Sequence, residues 1–277
     1  MSRNSNRLGV EHRGTDSPAP EKMFDPLHFV APTEFVELPS RGIGYEEGHP
    51  LKGKETIEIK FMTAKDEDIL SSRALLKKGI ALERFMENII VDKAIKPNDL
   101  LTGDRNAIII AARVSGYGAE YDTLVTCPAC GAKNQFSFDL NNTEMHETKI
   151  NENLNMSQSE GGKIKTIMPH TKFNIEFRLL KGEDEVNLAR TLEQNRKNKV
   201  IETGLSEQYK RMIVSIEGHT DRSIINRYVD NMPTLDSRHL RLCYKEANPD
   251  IRIKNAFVCS SCQHEEEVDV PFGTDFF

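Results

Sequence analysis

Val125–Leu140 reads VTCPACGAKNQFSFDL. Two thiols, Cys127 and Cys130, stand two residues apart. A glycine follows, and apolar residues then alternate through Phe136, Phe138 and Leu140. This is a zinc-knuckle pattern: a C-x-x-C turn directs two sulfurs at one ion, and the alternation marks a strand with one inward face. A closed structural site takes four ligands, so half the set is missing here. The other half is VCSSCQHEEEVDV, Val258–Val270, where Cys259 and Cys262 repeat the spacing 132 positions later.

The offset of 132 holds beyond the thiols. It carries Asp104 onto Asp236, Ile108 onto Leu240 and Ile110 onto Leu242. It also carries Phe136, Phe138 and Leu140 onto Val268, Val270 and Phe272. Earlier in each half the register becomes 116, placing Ile57, Ile59 and Phe61 on Phe173, Ile175 and Phe177. The chain therefore reads as two degenerate copies of one unit, about 55–140 and 171–273. The expected class is α+β: internally duplicated strand-plus-helices units joined by a four-cysteine zinc-ribbon-like site. Around the copies we expect a flexible N-terminal arm over 1–30, an extended arm over 31–54 and a polar linker or hairpin over 141–170. The first repeat unit then covers 55–140 and the second 171–277.

Periodicity fills in each copy. ETIEIKFM and TKFNIEFRLL alternate with period two and are expected strands. The run from Asp66 to Ile95 has apolar residues three and four apart and is expected to be helical, interrupted at Gly79. TGDRNAIIIAARVSGYG predicts a buried helix beginning near Thr102 or Asp104 and stopping at Gly116 or Gly118. Four helices are expected in the second copy: EDEVNLARTLEQNRKN, SEQYKRMIVSIEG, DRSIINRYVDNM and TLDSRHLRLCYKEANP, with Ser206 or Asp221 as caps. Strands flank both knuckles.

Composition sets the outer limits. The 277 residues carry 38% hydrophobic and 29% charged side chains with a net charge of −6, which fits a globular chain and offers no basic excess for phosphate neutralisation. No apolar run reaches membrane-span length, and the N-terminal stretch lacks the apolar core of a secretory signal. With no export signal and an odd fifth thiol at Cys243, a reducing compartment and thiolate chemistry are favoured over disulfides. Zn²⁺ suits four thiolates, held by Cys127, Cys130, Cys259 and Cys262, and a rubredoxin-like iron site would use the same four. A thioredoxin-like redox pair normally opens a helix, whereas strand-like sequence follows both pairs here. Gly131 suits the knuckle's backbone, where the second copy has Gln263.

Other candidates read as structural. His264 reads as a surface histidine and Cys243 as a packing thiol. The acidic triplets Asp66–Asp68 and Glu183–Glu185 follow strands and begin helices, where carboxylates meet the positive helix end. No spacing nominates a catalytic set, and the expectation is that the chain is not an enzyme. Glu34–Gly53 starts apolar and alternating, then becomes rich in glycine. It reads either as an edge strand with a loop or as an interface arm.

Three segments carry a family resemblance: FVELPSRGIGYEEGHPL, LLTGDRNAIIIAARVSGYGAEYDTLVTCPACG and VDVPFGTDFF. Together they resemble the baseplate hub proteins of T-even-type contractile-tailed bacteriophages, over roughly residues 30–277. The resemblance implies a structural or assembly component of the baseplate hub. Its partners would be other phage baseplate or tail proteins, and its locations would be the host bacterial cytoplasm during assembly and the virion tail baseplate. It implies no catalytic residues. For such a role Phe35, Tyr45, Phe272, Phe276 and Phe277 are the candidate partner-binding aromatics. The alternative is a zinc-ribbon nucleic-acid-binding or regulatory protein, which would need its Lys and Arg gathered on one face.

Overall fold

The computed structural model describes residues 32–198, 204–269 and 276–277. Expectations for the 1–30 arm and for Phe272 lie outside them. Residues 32–277 fall in one compact unit. Among the described residues, no helix is long and apolar enough to cross a membrane.

The chain opens with strand β1 (Thr33–Glu37), which pairs antiparallel with β2 (Thr56–Lys60). Of the two readings of this stretch, extended arm or edge strand with a loop, β1 takes the second, as the edge strand of a two-stranded sheet. Leu38, Tyr45 and Leu51, between the two strands, are buried in the main core. Helices α1 (Ala64–Ser71), α2 (Arg73–Lys78) and α3 (Ala81–Ile89) follow. Asp66 closes a capping box with Thr63 at the start of α1, as the helix-start assignment of the acidic triplet requires. Gly79 ends α2 in the left-handed region at φ 67°, which explains the break the sequence placed there. Helix α4 (Thr102–Tyr117) is buried along most of its length.

Next come the hairpin β3 (Glu120–Thr126) and β4 (Lys133–Asp139), then β5 (Thr143–His146), β6 (Ser157–Gln158), β7 (Ile164–Ile167) and β8 (Asn174–Phe177). The stretch expected as a polar linker or hairpin holds a short hairpin, β6 paired antiparallel to β7. β5 joins the sheet of the second knuckle and β7 joins a four-stranded sheet. The remaining elements are α5 (Gly182–Lys197), α6 (Gly204–Met212), β9 (Ile213–Ile216), α7 (Arg222–Asp230), α8 (Thr234–Ala247), β10 (Asp250–Val258) and β11 (Glu265–Asp269).

Two local expectations need correction. SEQYKRMIVSIEG is not one helix: it ends at Met212, and Ile213–Ile216 forms a strand against β8. Its β-branched run Ile213-Val214 packs on a sheet better than on a helix. Ser206 lies inside α6, while Asp221 caps α7 by accepting from the Ser223 N–H. The early register also shifts. The buried pair of β2 is Ile57 and Ile59, and that of β8 is Ile175 and Phe177, 118 positions on; Phe173 is instead 40% exposed.

The sheets run β1-β2, β3-β4, β11-β10-β5 and β6-β7-β8-β9. One continuous apolar cluster links them, with Phe85, Phe138, Phe177 and Phe276 among its largest fully buried side chains. Helix α4 packs against both β1 and β10. It is the central rod on which sheets from the two ends of the chain lean.

Candidate metal centre

Each cysteine pair sits in the turn of a β-hairpin, and the two turns are built alike. In the first, the Cys127 N–H donates to the Ala132 carbonyl and the Gly131 N–H to the Cys127 carbonyl, both at 2.9 Å. In the second, Cys259 donates to His264 and Gln263 to Cys259, again at 2.9 Å. Gly131 and Gln263 occupy the same left-handed position, at φ 72° and 58°. Only the glycine adopts that conformation without strain. Register below each turn continues directly, Thr126 opposite Lys133 and Val258 opposite Glu265.

The hairpins converge tip to tip. All four sulfurs lie within 4.8 Å of one another. Across the hairpins, Cys127 meets Cys262 and Cys130 meets Cys259, each at 3.7 Å. A regular tetrahedron of thiolates around Zn²⁺, with bonds of about 2.3 Å, puts sulfurs about 3.8 Å apart. The donor set and its spacing therefore fit a four-coordinate metal ion. The sulfurs are not disulfide-bonded, and both pairs turn strand into strand, not strand into helix. These four residues could hold a metal; what it would supply is a cross-link between hairpins, with no open position for substrate.

Electrostatics point the same way. Cys259 is drawn down to about 6, first by the backbone N–H of Cys262 and further by that of Ser261. At Cys262 the His264 N–H also pulls down, but the sulfurs of Cys130, Cys259 and Cys127 outweigh it and push the thiol up to about 12. Four thiols packed this closely cannot all ionise unless a cation sits among them.

Packing isolates the inner half of the cluster. Cys127 and Cys259 are buried with Phe257, flanked by Val125, Ala132, Phe136 and Val268. Cys130 and Cys262 face solvent. Asn134 was not singled out in the sequence. It is buried beside Cys259, with Nδ2 3.6 Å from the Cys259 Sγ, and its Oδ1 accepts from the Ser260 N–H at 2.9 Å and hydroxyl at 2.6 Å. Asn134 therefore ties the base of one knuckle to the other and orients a ligand. The available signal was parity: Asn134 occupies the same inward face as Phe136 and Phe138, where an amide is out of place. His264 is partly exposed, with Glu266 3.6 Å away, and stays outside the four-sulfur set. Cys243 is fully buried in the main core, far from being a ligand.

The candidate partner-binding aromatics separate into three situations. Phe35 is 70% exposed on β1. Tyr45 and Phe276 are fully buried, so they serve the chain's own core and not a partner. The Tyr45 hydroxyl donates to Asp104 at 2.7 Å and accepts from the Leu101 N–H at 3.1 Å, a demand no solvent-facing anchor would carry. Phe276 lies edge-on to Tyr121 at 5.0 Å, and its carbonyl accepts from the Arg113 Nε. Phe277 is half-buried against Phe85, centroids 5.1 Å apart.

Comparison with known proteins decides the family. A profile of the T4 bacteriophage base plate protein family matches residues 45–277. The chain belongs to that family. This base plate family protein matches no curated protein and no solved structure. The family makes it a structural component of a phage baseplate, with other tail proteins as its partners and the virion tail as its location.

Proposed function

We propose that this base plate family protein is a structural or assembly component of the baseplate hub, and that one structural zinc ion clips its two cysteine hairpins together. The observation that carries the metal half is the sulfur geometry, four thiolates at tetrahedral spacing on hairpins 132 positions apart in sequence. The hub assignment is supported by the GDRNAI…RVSGYG and TDFF segments within the family match and by LPSRG just ahead of it. The ion would act as a staple: it ties the chain's second half back onto its first and fixes the scaffold that neighbours dock on.

We further read the halves as copies of one unit. The two knuckles share a hydrogen-bond pattern, and Asp104 and Asp236 both sit buried in the first turn of a long helix. Ile108 and Leu240 are likewise both buried, although Ile110 is buried and Leu242 is 44% exposed.

The test combines metal analysis with phage genetics. Purified protein should hold one zinc and no iron, and tails from a knockout phage should stop at an incomplete hub. Iron in the site would replace the zinc assignment. Normal hubs in the knockout would sink the hub role, and salt-dependent nucleic-acid binding would favour the ribbon alternative.

A further inference from the structure

Among the described residues β1 has a partner on one side only. Its register with β2 pairs Glu34 with Ile59 and Val36 with Ile57. Backbone bonds beyond the strand ends, Phe61 N–H to Pro32 and Leu38 N–H to Glu55, fix which residues face inward. Even-numbered residues turn their N–H and C=O toward β2, so Thr33, Phe35 and Glu37 turn theirs outward. No described strand pairs with that outer edge. The comparable hairpin of the second half differs: β7, paired to β8, has β6 on its outer edge.

Beside the open edge runs a groove of about 300 Å³. Its floor is α4, through Ile110, Ala111 and Val114. Its far wall is Met145 of β5, itself the outermost strand of the β11-β10-β5 sheet. The near wall carries two carboxylates, Glu34 and Glu37, and no Lys or Arg lines the groove. Glu34 Oε1 is buried without a hydrogen-bond partner among the described residues. Phe35, beside it, is the most exposed large apolar side chain described. A free strand edge, an apolar trough and an unpaired buried carboxylate oxygen together describe a half-made sheet.

We propose that this groove receives an extended segment of another baseplate protein, which adds to β1 as a third strand. Main-chain bonds to Phe35 and Glu37 supply the affinity and alternate side chains the specificity. The floor-side residues of the incoming strand are apolar, to cover Ile110, Val114 and Met145, with a Lys or Arg beside Glu34. Its outer face places a cation beside Glu37 and an apolar group on Phe35. The carboxylate-only lining selects that chemistry over an acidic or uncharged strand. The inference rests on the baseplate role and adds the site and the binding mode.

The test uses the full chain in phage-infected cells, with a photo-crosslinking residue at the exposed Thr33 of β1 and mass spectrometry of the products. The expected product joins position 33 to a Lys- or Arg-containing extended segment of a different baseplate protein. F35P removes an outward N–H and leaves the β1–β2 bonds intact, so it should cut crosslink yield at least about tenfold. F35V, which keeps the N–H, should stay within about twofold of wild type. Should F35P lower the melting temperature, E37K on the exposed rim serves instead and should reduce yield several-fold. Crosslinks to residues 1–31 of the same chain, crosslinks to a second copy, or a yield indifferent to F35P and E37K would each overturn the proposal. Protein present in tail intermediates without the strand crosslink defeats this inference alone. Protein absent from every tail intermediate defeats the baseplate role with it.

Discussion

Asp104 and Asp236 each stand third in a long helix and solve the same problem in unlike surroundings. Each lies in the first turn of its helix and receives donors from a turn that ends a strand. Asp104 accepts from the Ser40 N–H and hydroxyl and from the Tyr45 hydroxyl. Asp236 accepts from the His170 N–H and the Thr171 N–H and hydroxyl, with Tyr228 at 3.5 Å. Ser40 and Tyr45 are buried, whereas His170 is exposed and Thr171 half-exposed. Burial therefore pushes the Asp104 carboxyl up despite its three donors. At Asp236 burial pulls the same way, but the His170 and Thr171 donors outweigh it and hold the carboxyl down. An identical residue at an identical helix position can thus have its carboxyl shifted in opposite directions; the difference lies in the depth of the donors, not their number.

The largest expected effect removes what joins the halves. Replacing Cys259, the buried ligand, with Ser should abolish metal binding and lose up to about 10 kcal/mol of coupled folding free energy. Cys130→Ser, on the exposed side, should leave weak residual binding. Metal content and thermal melts of both variants test the contrast, and equal melts with metal retained would break it.

Next in size are the aspartates themselves. Asp104→Ala strands buried donors and should cost about 3–5 kcal/mol; Asp236→Ala, whose donors can reach water, should cost about 1–3 kcal/mol. Their pH dependence should run in opposite directions. The depressed Asp236 contributes stability that is present above the unfolded carboxyl value near 4 and lost as pH falls through its folded value. The raised Asp104 contributes most below about 4 and loses its advantage as pH climbs through its folded value. Urea unfolding from acid to neutral pH, with each Asn variant subtracted from wild type, should give slopes of opposite sign. Slopes of one sign would collapse the comparison.

The paired tyrosines sharpen it further. Tyr45→Phe strands the Leu101 N–H and leaves Asp104 Oδ2 with the Ser40 hydroxyl as its remaining donor, and should cost about 1–2 kcal/mol. Tyr228→Phe loses only long contacts, 3.4 Å to Thr171 and 3.5 Å to Asp236, and should cost less than about 0.5 kcal/mol. The turns fall between the two tyrosines: Gln263→Gly should stabilise by about 0.5–1 kcal/mol by relieving a positive φ, and Gly131→Ala should destabilise by a similar amount. Calorimetry of the four variants measures both pairs.

Local signals were legible where they rest on short-range chemistry. Alternation located β2, β3, β4 and β10, and the 3.6-residue spacing with Gly79 located α1 to α3. The thiol spacing located all four sulfurs because a metal turn is a local structure with few solutions. What escaped depends on partners far along the chain. Ile213–Ile216 is a strand only because β8 lies beside it. Thr33–Gly53 is part of the body only because β2 and Asp104 hold it there. Tyr45 looks like a surface anchor between glycines until a carboxylate 59 positions away claims its hydroxyl. Asn134 was readable only as a violation of its strand's parity.

By itself the sequence determined the hairpin turns, the helix starts and the identity of four metal-competent thiols, since each follows from residues within a few positions of one another. The tertiary structure alone decided that thiols from the two hairpins meet at 3.7 Å, in which direction each aspartate's carboxyl is shifted, and which strand edge stays open among the described residues. Those outcomes depend on distances and burial between segments a hundred residues apart, and neither quantity is written in local residue order.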